Sequence, residues 1–130
     1  MSQIHTTDVT IIGAAPVGLF SVFELGMLGM RCHVVDVLDE PGGQCTALYP
    51  EKPIYDIPGF PEIAANELID RLIEKISPFH PTFNLGQQVI AVNDRNGRWT
   101  ASTSKEDDDR VDGNSHRRGR WRFRPQSTAA

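Results

Sequence analysis

At 130 residues the chain has room for one domain with a small core, and its formal net charge of −4 argues against a general nucleic-acid role. Two cysteines make no disulfide framework, the polar start Met1–Thr7 is unlike a signal peptide, and no apolar run reaches the length of a membrane span. These features lead to the expectation of a cytoplasmic protein with no nucleic-acid, membrane or metal partner.

The first predicted strand is Asp8-Val9-Thr10-Ile11-Ile12, rich in β-branched residues. It leads into the turn Gly13-Ala14-Ala15-Pro16-Val17-Gly18, and an apolar-periodic run from Leu19 to Met30 then predicts a helix. Gly13 permits the sharp turn and Gly18 lets the helix pack closely on the strand. The first N–H groups of a helix lack intrahelical partners and carry the positive end of its dipole, so a pyrophosphate fits there. The dinucleotide fingerprint places a second glycine where this chain has Ala15, and the added methyl is expected to face the phosphate path and weaken binding. The alternative is a glycine turn of purely structural meaning. The helix is apolar nearly all round, so burial on more than one side is expected. Gly26 inside it implies close packing, and Gly29 falls where a C-terminal glycine would end it.

Cys32-His33-Val34-Val35-Asp36 reads as a second strand, with Cys32 an inert core thiol and an acid 18 residues after Gly18. Pro41-Gly42-Gly43 opens a proline-rich connection that runs to Pro61. It is too long for an ordinary crossover loop and is expected to be ordered and to cover something. Ala64–Ile76 restores helical periodicity until Pro78 stops it. Short strands are predicted at Thr82–Leu85 and Gln88–Asn93, with a hairpin turn at Asp94-Arg95-Asn96-Gly97 returning Arg98–Thr103.

After Ser104 the pattern dissolves. Residues 1–104 carry 6 basic and 12 acidic side chains, a balance of −6, whereas residues 105–130 carry 7 and 5, a balance of +2. Arginines alternate with Trp121 and Phe123 between Arg117 and Arg124. Such a stripe can bind phosphate and stack bases, but a disordered tail is the favoured reading.

At Gly13–Gly18, Asp36, Pro41-Gly42-Gly43-Gln44-Cys45 and Tyr49 the sequence resembles ferredoxin–NADP reductases of the thioredoxin-reductase-like type. The run Asp39 to Pro61 is the most discriminating part, and the resemblance covers residues 8–104. Residues and resemblance together lead to the expectation of an α/β chain: a Rossmann-like FAD-binding βαβ domain, incomplete over residues 1–104, with a β-hairpin, and, from the residues alone, a disordered tail over 105–130 that a frameshift would explain. The resemblance also implies a homodimeric flavoprotein. FAD lies across the first βαβ unit and NADPH binds a second domain; hydride passes from NADPH to the flavin, and electrons then go to ferredoxin. Cofactor binding falls to Gly13, Ala14, Ala15, Pro16, Val17 and Gly18. By resemblance Asp36 holds the adenosine ribose, Gln44 and Tyr49 lie beside the flavin, and the backbone at Val89 contacts the adenine side. A carboxylate can accept hydrogen bonds from both ribose hydroxyls, which supports Asp36 independently; a capping or surface acid is the alternative. Tyr49 either stacks on the isoalloxazine ring or anchors packing, and the Gln44 amide offers both donor and acceptor.

In dithiol reductases of the glutathione-reductase type, a cysteine after the glycine pair has a partner five residues on. Cys45 stands at the first place and Pro50 at the second, so no redox-active disulfide is expected. No catalytic residue is assigned. Beyond Ser104 the resemblance ends, and the NADPH domain of the family has no counterpart. The codons permitted for His116–Gln126, read one base later, include Ile-Ala-Ala-Gly-Ala-Gly-Ala-Ser-Gly-Pro-Asn, with Trp121 forcing a glycine. The expectation is therefore a frameshifted or truncated reductase, inactive alone, which the coding DNA tests directly. A non-catalytic nucleotide-binding module or an inactive pseudogene product is the alternative.

Overall fold

A computed structural model of the chain describes residues 4–95, 97–105 and 117–123. The predicted strand Asp8–Ile12 forms as β2 (Val9–Ile12), and a strand that was not expected, β1 (Ile4–Thr7), precedes it across a bend at Asp8. They then belong to different sheets, β1 pairing with β9 (Arg117–Phe123) and β2 with β3 (Cys32–Val35). Asp8 fixes the bend. Its Oδ2 accepts the Arg31 N–H at 2.8 Å, and the neighbouring Thr7 hydroxyl donates to the Arg31 carbonyl at 2.8 Å. That amide bond, more than the Arg31 guanidinium, holds the exposed Asp8 carboxyl below its usual pKa.

Parallel pairing runs β2–β3–β6, with β6 at Thr82–Asn84. The crossover from β2 to β3 is α1 (Pro16–Met27), so the predicted βαβ unit is present. Gly26 meets the expectation of close packing: the Phe79 ring lies where its Cβ would be. Gly29 adopts the left-handed conformation, φ +75°, as a residue past a helix end does. A side chain at Gly18 would collide with the Gly13 carbonyl and crowd Ile11, so the turn closes against the strand only with glycine there.

α3 (Ala65–Ile76) follows the predicted span and ends in a 3₁₀ turn at Ser77–Phe79. Its Leu68, Ile69 and Ile76 are buried, and Ile69 and Ile76 join Leu19, Val22, Cys32 and Val34 in the main core. Burial pushes the Cys32 thiol pKa up, with the Asp8 charge adding to it, which keeps the thiol protonated and inert. On the outer side of α1, Val17, Phe20, Met27 and Leu28 are exposed. α1 is packed by the sheet and by α3, in line with the burial expected on more than one side, but among the described residues nothing covers the stripe that holds Val17, Phe20 and Met27.

The long connection is more structured than its prolines suggest. It contains α2 (Gly43–Leu48) and β4 (Pro53–Ile54), which pairs antiparallel with β5 (Ile63–Ala64). The predicted hairpin forms from β7 (Gln87–Arg95) and β8 (Arg98–Lys105), each longer than expected. It lies on the other face of the parallel sheet, where Val89 and Ala101 pack against Val35. The buried Thr103 hydroxyl is satisfied by Gln87 Oε1 at 3.1 Å.

Residues 117–123, expected within an unstructured tail, form β9 between β1 and β8. The sequence offers alternation there but no apolar signal; a slot between two strands whose backbone groups need partners supplies what periodicity does not. The rest of the predicted tail, residues 106–116 and 124–130, lies outside the described residues.

Candidate functional site

Ile12 and Val35 are in register, so Gly13 and Asp36 emerge side by side from the carboxyl ends of β2 and β3. That end of an open parallel sheet is where ligands bind. Gly13 takes φ +109°, a conformation a side chain strains, and its N–H bonds the Val35 carbonyl at 2.7 Å. Ala14 is fully buried. Its N–H donates to Asp36 Oδ2 at 2.7 Å, while Asp36 Oδ1 accepts the Leu38 N–H at 3.0 Å. Asp36 therefore does cap local backbone, as its alternative reading held. A carboxylate has about four acceptor sites, so each oxygen keeps acceptor capacity beyond these two bonds.

The α1 N-terminus has no side-chain cap, and Pro16 stands in its first turn. The Val17 and Gly18 N–H groups have no carbonyl four residues back within the helix, which leaves donors and dipole for an anion. Ile12 and Val17, beside this mouth, are 61% and 81% exposed, an apolar rim open to a ligand. An uncapped helix start, a carboxylate with spare lone pairs and an apolar rim together suit a dinucleotide.

Ala15 is extended (φ −76°, ψ 173°), so its backbone has no need of glycine. Its methyl lies against Gly43: a Cβ built on Gly43 would sit 3.1 Å from the Ala15 Cβ. Beside this contact the Gly42 N–H donates to the Ala14 carbonyl at 2.8 Å. The sequence marked Gly42 and Gly43 as a loop breaker and as part of the motif that carries the resemblance, but not as the partner of the Gly13–Gly18 turn. The signal was the glycine pair itself, with both residues at positive φ.

Gln44 follows directly in α2, and with Tyr49, Leu48, Lys52, Ile54 and Ala65 it lines a cavity of about 210 Å³. Tyr49 is 62% exposed, which weighs against the packing-anchor alternative. Val89 is tied in from the other side through Val35, and β7 is anchored where the Gln87 N–H donates to the Asp36 carbonyl at 2.9 Å. A register irregularity between Val89 and Ala91 interrupts the β7–β8 ladder next to Val89; alternation in the sequence could not signal it. Thus Gly13–Gly18, Asp36 and Gln44 converge on one end of the parallel sheet, Tyr49 shares a cavity with Gln44, and Val89 sits behind Val35. The Cys45 side chain, and with it the expected absence of a redox disulfide, lies outside the described residues. Among those residues no cluster of three or more His, Cys, Asp and Glu could hold a metal, and no helix is long and apolar enough to cross a membrane.

No protein-family model matches the chain. A curated ferredoxin–NADP reductase from Rhodospirillum rubrum is 62% identical over 103 residues, which is 76% of this chain and 30% of the relative. The chain spans about 30% of the length of the curated relatives it matches. Among solved structures, L-proline dehydrogenase from P. horikoshii superposes with a TM-score of 0.72 at 15% identity, over 95% of this chain and 22% of the other. Lactococcus lactis thioredoxin reductase superposes with 0.65 at 24% identity, over 78% and 31%. At such identities the structural matches speak for the fold alone.

Proposed function

We propose, from the premise that the N-terminal part of this chain is homologous to ferredoxin–NADP reductases, that the chain forms an FAD-binding site built on the first βαβ unit. The observation that carries this is the Asp36 carboxylate at 2.7 Å from the Ala14 N–H, beside an uncapped helix start. The Val17 and Gly18 N–H groups take the diphosphate, and Asp36 takes the ribose diol with its remaining lone pairs. Gln44 and Tyr49 receive the flavin end along α2, and the Val89 backbone borders the adenine. Bound flavin would accept a hydride and release electrons singly; the residues here position it and shield it, and none is placed to move a proton.

In the whole protein the electrons would come from NADPH and go to ferredoxin, and the assembly would be a homodimer. These are functions of a longer polypeptide than the 30% spanned here, and on this reading the chain alone does not turn over. Titration of purified chain with FAD tests the reading. Saturable quenching of flavin fluorescence, weakened at least tenfold by Gly13→Val, is expected. Folded chain that leaves FAD fluorescence unchanged sinks it. NADPH-dependent reduction of an acceptor by the chain alone would overturn the division of labour.

A further inference from the structure

We propose that Gly43 is the positioning residue that allows alanine at the middle of the α1 turn, so that Ala15 and Gly43 act as a matched pair across two loops. A glycine at position 15 could serve backbone freedom or the absence of a side chain. Ala15 is extended, φ −76° and ψ 173°, so only the side chain matters. That methyl is housed by the facing loop: a Cβ on Gly43 would stand 3.1 Å from the Ala15 Cβ and 3.6 Å from its Cα. The first distance is well inside the optimum for two carbons, about 3.5–4.0 Å.

Hydrogen bonds beside the contact oppose any separation of the two loops. Ala14 is clamped on both sides of its residue, its N–H by Asp36 at 2.7 Å and its carbonyl by the Gly42 N–H at 2.8 Å. Gly42 is itself buried, at φ +119°, and a side chain there would strike Thr46. The second loop is thus fixed to the first by a backbone bond one residue from the contact. A side chain at position 43 therefore presses on Ala15, the residue next to the first N–H groups of α1. The departure at Ala15 is absorbed by a glycine 28 positions later.

The affinity half of this inference rests on the FAD reading; the contact does not. Gly43 sits at φ +65°, so Gly43→Ala is strained whatever faces it. A double-mutant cycle with Ala15→Gly cancels that strain and leaves only the contact. In the full chain, Gly43→Ala is expected to lower the apo melting temperature and to raise the FAD Kd. Both effects shrink in the Ala15→Gly background, with Kd recovering by about fivefold or more, as coupled neighbours do. If Gly43→Ala does not fold, Gly43→Asn, which tolerates left-handed backbone, completes the same cycle. Equal melting-temperature losses in both backgrounds overturn the pair. Coupled melting temperatures in a chain that binds no FAD keep the pair and sink the FAD reading. Coupling in melting temperature but none in Kd, in a chain that does bind FAD, overturns the positioning role.

Discussion

Asp36 accepts the Ala14 and Leu38 N–H groups on one carboxylate, and on the proposed reading its remaining lone pairs take the ribose diol. Asparagine keeps the size but offers one oxygen, so its amide nitrogen must confront one of the two backbone donors. Asp36→Asn is therefore expected to destabilise the apo chain by about 1–3 kcal/mol, the order of magnitude for losing a hydrogen bond to a charged group. It should also weaken FAD at least tenfold. Denaturant unfolding measures the first and flavin fluorescence titration the second. A variant with unchanged stability would mean that the Ala14 bond contributes nothing. Asp36 was legible from its place at a strand end; its bond to Ala14 was not, since nothing in the sequence aligns residues 22 positions apart.

At the scale of elements, α1 is held by shape more than by its own propensity. Gly26 in mid-helix costs roughly 0.5–1 kcal/mol relative to alanine, yet the Phe79 ring packs where a methyl would go. Phe79 also meets Phe23 edge-on, with ring centroids 5.9 Å apart, and the Lys75 ammonium lies 4.2 Å from the Phe23 ring centre. Gly26→Ala is expected to destabilise by about 1–3 kcal/mol through overpacking, the opposite sign from its helix propensity. Restoration by the smaller Phe79→Leu in the same chain, followed by urea unfolding, identifies Phe79 as the cause. The glycine was readable as a packing site, and its partner was not. Phe79 lies beyond α3 in a 3₁₀ turn, placed there by Pro78 and by the docking of α3.

Across the whole molecule, the two sheets meet near a pair of imidazoles. The His5 and His33 rings are 5.6 Å apart, and the Asn84 amide nitrogen stands 3.4 Å from His33 Nδ1. Burial, then the nearby His5 and Arg31 charges, hold the His33 pKa below its ordinary 6.5. The unfolded chain then binds more protons than the folded one in that window. Stability is full above about pH 6.5 and falls as pH drops through the lowered pKa. Melting curves should show this loss, and His33→Gln should flatten it; a variant whose pH profile matches the parent assigns the acid sensitivity elsewhere. By itself the sequence determined the βαβ unit, the helix read at residues 64–76, the hairpin, the glycine turn and the acid beside it, because each rests on local periodicity or on backbone demands a few residues long. Only the tertiary structure decided that residues 4–7 form a strand of their own before the bend at Asp8, that residues 43–48 coil into a helix, that residues 117–123 lie between β1 and β8, and that Gly43 faces Ala15. Those depend on which partners the backbone and side chains find across the molecule, and no neighbour in sequence carries that information.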